Sequence, residues 1–114
     1  MTLTEATTWV EVCSIDQLAL DRGACVRAGL YQIALFRLSP GDELYALSNY
    51  DPKSGAFVMS RGIVGSRGDV AKVASPMYKH AYDLRSGHCL DDPATSVLTF
   101  PVRVDGSRVL VAVP

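Results

Sequence analysis

No run in this chain of 114 residues is apolar for the roughly 20 residues that a membrane-spanning helix needs. The first residues, Met1-Thr-Leu-Thr-Glu-Ala6, lack the basic region and apolar core of a secretory leader, so a cytoplasmic location is expected. Charge of either sign is not in excess: 11 Lys and Arg face 12 Asp and Glu, which gives no global attraction to nucleic acid or to a membrane surface. Cysteine is scarce and odd in number. Cys13, Cys25 and Cys89 are far apart without a C-x-x-C pair, which argues against a disulfide framework and a tetrathiolate zinc site and leaves them as small core hydrophobes. Only two histidines, His80 and His88, are present. With Cys89, Asp91 and Asp92 they match no zinc spacing, and His80 is expected to be solvated. Ser75 lacks a Gly-x-Ser-x-Gly setting. Gly62, Gly65 and Gly68 recur every third residue but no helix follows, which excludes a phosphate cradle and leaves them as turn residues. No repeat, linker or long helical stripe is present.

What remains is β. Trp9-Val-Glu-Val-Cys13 alternates and predicts a first strand, and Ser14 is a capping residue for one helical turn reaching Leu18. Strands are expected over Ala24–Ala28, Tyr31–Leu38 and Glu43–Ser48, with a turn at Pro40-Gly41-Asp42. Near the C-terminus Leu98, Phe100, Val102 and Val104 alternate as one strand. Asp105-Gly106 then makes a tight turn into Val109, Val111 and Val113, a strong hairpin signal because both turn residues tolerate positive φ. Pro101 places that strand partly at an edge or beside a bulge. Between about residues 49 and 96, glycine and proline punctuate short apolar stretches. Two proline loops, Asn49–Gly55 and Ser75–His80, flank an expected hairpin made of Arg61–Asp69 and Val70–Ala74. One domain over 1–114 is expected, with residues 1–8 a flexible start.

The order strand, proline loop, hairpin, proline loop, C-terminal hairpin resembles a Rieske-type domain. The expected fold is therefore mostly β: a Rieske-like (ISP-type) sandwich or barrel with an inserted loop-rich subdomain. Tyr45-Ala-Leu-Ser-Asn49, Ser75-Pro76 and Tyr82-Asp-Leu-Arg-Ser-Gly87 carry the likeness. In that family two loops each supply one Cys and one His to a [2Fe–2S] cluster. The resemblance puts those four positions at Asp51, Lys53, Ser75 and Tyr78, so all four ligands are lost. A lysine ammonium has no lone pair, and Ser or Tyr would have to ionise far below its ordinary pKa. His80 lies two places past the ligand position. Leu47-Ser-Asn-Tyr-Asp-Pro52, Val58-Met-Ser-Arg-Gly62, Val73-Ala-Ser-Pro-Met77 and Gly87-His-Cys-Leu-Asp-Asp92 are similar to a narrower family, the small subunits of assimilatory NAD(P)H-dependent nitrite reductases.

That resemblance implies a non-catalytic subunit with no cofactor of its own. Its partner would be a large subunit carrying FAD, sirohaem and an iron–sulfur cluster, which reduces nitrite to ammonium. Neither nucleic acid nor membrane is an expected partner. Two other functions stay open, a Rieske-type ferredoxin that carries electrons and a free-standing binding module on the same fold. Asp51 and Lys53 are placed to form a salt bridge across the old cluster position. Met77 and Tyr78 are expected to pack into the vacancy, the alternative being two mobile surface loops. Lys53, Arg61, Met77, Lys79 and His80 are the expected partner interface, with Arg67, Lys72 and Arg85 adding positive charge, against the alternative of a merely solvated face.

Overall fold

The structure is a computed structural model that describes residues 8–39 and 43–114. The turn expected at Pro40-Gly41-Asp42, and the expected flexible start apart from Thr8, lie outside the described residues. The strands follow in the order β1 (Thr8–Ser14), β2 (Arg22–Ala28), β3 (Tyr31–Leu38), β4 (Glu43–Ser48), β5 (Tyr50–Asp51), β6 (Ala56–Phe57), β7 (Ile63–Arg67), β8 (Val70–Ala74), β9 (Ala81–Asp83), β10 (Thr99–Phe100), β11 (Val102–Asp105) and β12 (Arg108–Val113). Two single-turn 3-10 segments, Ile15–Gln17 and Met59–Arg61, complete the regular structure among the described residues.

These strands make a three-stranded sheet β1-β12-β11, a four-stranded sheet β10-β4-β3-β2, a small hairpin β5-β6, and a three-stranded sheet β7-β8-β9. All their ladders are antiparallel. Within the four-stranded sheet β3 is buried on both faces, which explains why Tyr31–Leu38 is almost continuously apolar rather than alternating. Ile33 and Leu35 face Val109, Val111 and Val113 of the first sheet, with Phe100 and Ala46. Ala34, Phe36 and Leu38 face the opposite way, onto Met59, Val73, Tyr82 and Leu84 of the loop-rich subdomain. Burying a side chain of this size contributes about 1.5–3 kcal/mol. β3 is therefore the floor on which the subdomain stands.

Details depart from the sequence reading in three places. The alternating run from Leu98 to Val104 is two strands, not one: β10 pairs with β4 and β11 pairs with β12. Pro101 lies where the chain changes sheets, so its missing N–H breaks no ladder, while its carbonyl accepts from Ala112 N at 3.0 Å. β1 carries a bulge between Glu11 and Cys13, which turns Cys13 inward against the core out of step with Trp9 and Glu11. Burial pushes the Cys13 thiol up. Cys25, by contrast, is exposed rather than a core residue. At the expected helical turn, Ser14 N donates to Gln17 Oε1 at 2.8 Å, and the Arg37 guanidinium holds the carbonyls of Ile15 and Leu18.

Candidate functional site

The Asp-Pro-Lys-Ser-Gly segment after Tyr50 folds on its own aspartate. Asp51 Oδ1 accepts Lys53 N at 3.0 Å, its Oδ2 accepts the Ser54 hydroxyl at 2.9 Å, and its carbonyl accepts Gly55 N at 2.8 Å. A carboxylate bonding to a backbone N–H two residues on is the local turn that aspartate favours. The second loop closes in the same manner. Ser75 N donates to His80 O at 2.9 Å and Lys79 N to Ser75 O at 3.0 Å, with Lys79 in the left-handed region at φ 62°.

The two loops meet at these residues. Ser75 Oγ donates to Asp51 Oδ2 at 2.5 Å and itself accepts from Met77 N at 3.2 Å. From the sheet below, the Tyr82 hydroxyl donates to Asp51 Oδ1 at 3.3 Å. Asp51 and Tyr82 have no exposed surface, and Ser75 has 1%. Burial pushes the Asp51 carboxyl up, but the bonds from Ser75, Lys53 N, Ser54 and Tyr82 together outweigh it and hold the group below its ordinary value. Burial, together with the Asp51 charge, pushes the Tyr82 phenol well up. Tyr82 therefore stays a neutral donor. A charged acceptor ringed by four donors now ties the two loops together.

Further ties come from two adjacent aspartates. Lys53 Nζ pairs with Asp92, which also accepts Ala94 N at 3.1 Å and the Thr95 hydroxyl at 2.9 Å. Asp91 accepts Ala81 N at 2.8 Å and meets the Arg67 guanidinium at 3.3 Å. Below them Asn49, 3% exposed, accepts Ser60 N at 2.7 Å on Oδ1 and donates to Phe57 O at 3.1 Å from Nδ2. This fixes the first loop to the 3-10 turn.

The four positions that the resemblance matches to cluster ligands thus divide. Asp51 and Ser75 come together, whereas Lys53 turns to Asp92 and Tyr78 points outward with 62% of its surface exposed. The expected Asp51–Lys53 salt bridge is replaced by the Lys53–Asp92 pair, because only the Lys53 backbone N–H faces Asp51. The expected plug of Met77 and Tyr78 is also corrected. Both are exposed, at 51% and 62%, because Asp51, Ser75 and Tyr82 already occupy the space between the loops. Arg61 and Lys79 are exposed. His80 is not simply solvated: it is half-buried, and its Nδ1 is buried without a hydrogen-bond partner. Sequence reasoning misses Tyr82, Asp91 and Asp92 as structural ties. Asp-Pro before Lys-Ser-Gly is the one local signal that points to the Asp51 turn.

The carboxylates fix the response to acid. The Lys53 ammonium, with the Ala94 N–H, holds the Asp92 carboxyl down at about 2. Asp51 and Asp91 are lowered as well. Each has a lower pKa folded than unfolded, so each contributes stability that is complete above the unfolded value of about 3.9 and is lost as pH falls through the folded value. Denaturant titrations are expected to show stability declining from about pH 4 toward pH 2. Asp92→Asn should flatten that decline. An unchanged acid limb would rule out the Lys53–Asp92 contribution.

Known proteins share both the sequence and the fold. A profile of the Rieske-like [2Fe-2S] domain matches residues 8–112. The chain is 36% identical over 96 residues to the nitrite reductase (NADH) small subunit of Salmonella typhimurium, covering 84% of this chain and 89% of that protein. It is 41% identical over 103 residues to the nitrite reductase [NAD(P)H] large subunit of Klebsiella oxytoca, where it covers 90% of this chain but spans only 11% of the relative's length. A crystal structure described as a NADH-dependent nitrite reductase small subunit from Mycobacterium tuberculosis superposes with a TM-score of 0.89 at 47% identity, covering 94% of this chain and 96% of the other.

A [2Fe–2S] cluster of this type needs two thiolates and two neutral imidazoles. The loops offer instead a carboxylate already satisfied by four donors, a paired ammonium, a hydrogen-bonded hydroxyl and an outward phenol. Among the described residues no three His, Cys, Asp or Glu side chains converge on a metal position. The donor set does not fit the cluster.

Proposed function

Because this chain belongs to the Rieske-like [2Fe-2S] domain family and, within it, to the nitrite reductase small subunits, we propose that it is the non-catalytic small subunit of a cytoplasmic NAD(P)H-dependent nitrite reductase. In this reading a large subunit carries the flavin, the sirohaem and an iron–sulfur cluster, and reduces nitrite to ammonium for nitrate and nitrite assimilation. The small subunit holds no cofactor and supports the large one by binding it. The observation that carries the reading is the match along 89% of a small-subunit relative, joined to a loop pair in which Asp51, Lys53 and Ser75 are spent on internal bonds and Tyr78 points outward. The Klebsiella large subunit, which contains a segment similar to this chain, supports the same partner.

Co-expression with the large subunit from the same cell tests the proposal. A stable complex is expected on size-exclusion chromatography, together with a purified small chain that contains no iron, no acid-labile sulfide and no visible absorption. A stoichiometric cluster in the freshly purified chain would favour an electron carrier. A large subunit that never retains this chain would remove the reading altogether.

A further inference from the structure

We propose that the hairpin β5-β6 and the loop Ser75–His80 form the surface that docks onto the large subunit, and that this docking is apolar rather than electrostatic. The inference rests on the function proposed above. Tyr50 and Phe57, paired across the hairpin, are 41% and 55% exposed, and their rings stack edge-to-face with centroids 5.2 Å apart. Met77 and Tyr78 are 51% and 62% exposed on the other loop. The two loops are joined at one place by a continuous chain of contacts. Tyr50 precedes Asp51, Asp51 bonds Ser75, and the Ser75 hydroxyl accepts Met77 N.

An isolated exposed apolar side chain needs no explanation, and Leu30 at 97% exposure is one. Two aromatic rings of one hairpin, with a methionine and a tyrosine on the loop bonded to it, are a different matter. Tyr, Phe and Met are enriched at interfaces, and aromatic anchors supply most of the binding energy there. The Asp51 hub holds both loops before any partner arrives, so little ordering cost remains to be met on association.

The charges nearby do not support an electrostatic dock. Lys53 and Arg67 are neutralised within the chain by Asp92 and Asp91. Lys79 and Arg61 are left for the rim, with no carboxylate of the described residues within 4.0 Å. Rim charges change the association rate and its salt dependence more than the affinity. The occupant follows from the Klebsiella relative. There a segment 41% identical to this chain is part of the large subunit itself, and so is held beside the remainder of that subunit. The remainder of a large subunit, presenting an apolar recess for the aromatic pair, is therefore the committed partner.

The test measures binding of purified chain to purified large subunit at low and high salt. Phe57→Ala and Tyr78→Ala, one from each loop, are each expected to weaken binding about tenfold or more, with Tyr78→Ala melting as the wild type does and Phe57→Ala, which loses the ring contact with Tyr50, still folded at the binding temperature. Lys79→Glu should weaken it less than about threefold, and wild-type affinity should change little with salt. Full binding by both alanine variants, or a steep salt dependence with loss on Lys79→Glu, would overturn the apolar dock while leaving the small-subunit reading intact. Wild-type protein that fails to bind at either salt would overturn both. Self-association of the chain that these variants abolish, without effect on the large subunit, would reassign the face to a second copy.

Discussion

Asp51→Ala is expected to cost about 3–5 kcal/mol of folding stability, the range seen when one member of a buried charged network is removed. The reason is what is left behind. The Ser75 and Tyr82 hydroxyls and the Lys53 N–H all point at Asp51, and the first two belong to side chains with almost no access to water. Each buried donor without an acceptor costs about 1–3 kcal/mol. Ser54, half-buried, loses less because water reaches it. The denaturant midpoint should fall with its slope unchanged. Asp51→Asn keeps the volume but turns an N–H toward existing donors, so it should recover only part of the loss. In the Asp51→Ala background, Ser75→Ala should add little, because its bond to Asp51 is already gone and the other, from Met77 N at 3.2 Å, belongs to the exposed tip. Tyr78→Ala, on the exposed tip, should change stability by no more than about 0.5 kcal/mol. If Tyr78→Ala matched Asp51→Ala, the plug would be Tyr78 after all and the hub would be incidental.

The second large effect is expected at Gly87. This residue has φ +79°, and a Cβ placed there would lie 2.2 Å from Val97 O and 3.0 Å from Thr99 Cγ2. Gly87 N donates to Asp83 O and its carbonyl accepts Val97 N, so the backbone is held from both sides and cannot retreat. Left-handed conformation alone costs a residue with a Cβ about 1–2 kcal/mol. Overpacking against a fixed backbone adds about 1–3 kcal/mol. Gly87→Ala should therefore lose about 2–5 kcal/mol. Gly68 makes the control. It has φ +63°, and a Cβ there would meet nothing within 4 Å, so Gly68→Ala should lose only the conformational part. Equal losses at the two positions would mean that the contact with Val97 O is not what limits Gly87.

Much of the framework is legible because it is written in local pattern. Tyr31–Leu38 and Glu43–Ser48 form strands with the bounds that their composition suggests, and the C-terminal hairpin forms one residue later than read, with Gly106-Ser107 as its turn and Asp105 still paired with Arg108. The hairpin of β7 and β8 also forms as read. Alternation cannot say which neighbour a strand will choose, and Leu98–Val104 shows this: one uninterrupted pattern serves two sheets. The site is harder to read. Resemblance locates Asp51 and Ser75, yet the bond between them joins residues 24 apart, and no local rule reports it. In the sequence Tyr82 carries meaning only as an aromatic landmark of the following strand. Met77 and Tyr78 read as inward because an apolar residue beside a vacancy invites burial. The bonds Ser75 N to His80 O and Lys79 N to Ser75 O pinch the loop at its base and leave its tip outside.

The double-sided burial of β3 bears on what can be taken apart. Phe36 and Ala34 belong to the loop-rich half, while Ile33 and Leu35, their immediate neighbours, belong to the base. A transplant of the loops onto another sheet would have to carry half of one strand's side chains and leave the other half. A base trimmed of its loops would expose a phenylalanine to water. The two halves therefore share a party wall, and neither can be grafted, shortened or redesigned as a separate module.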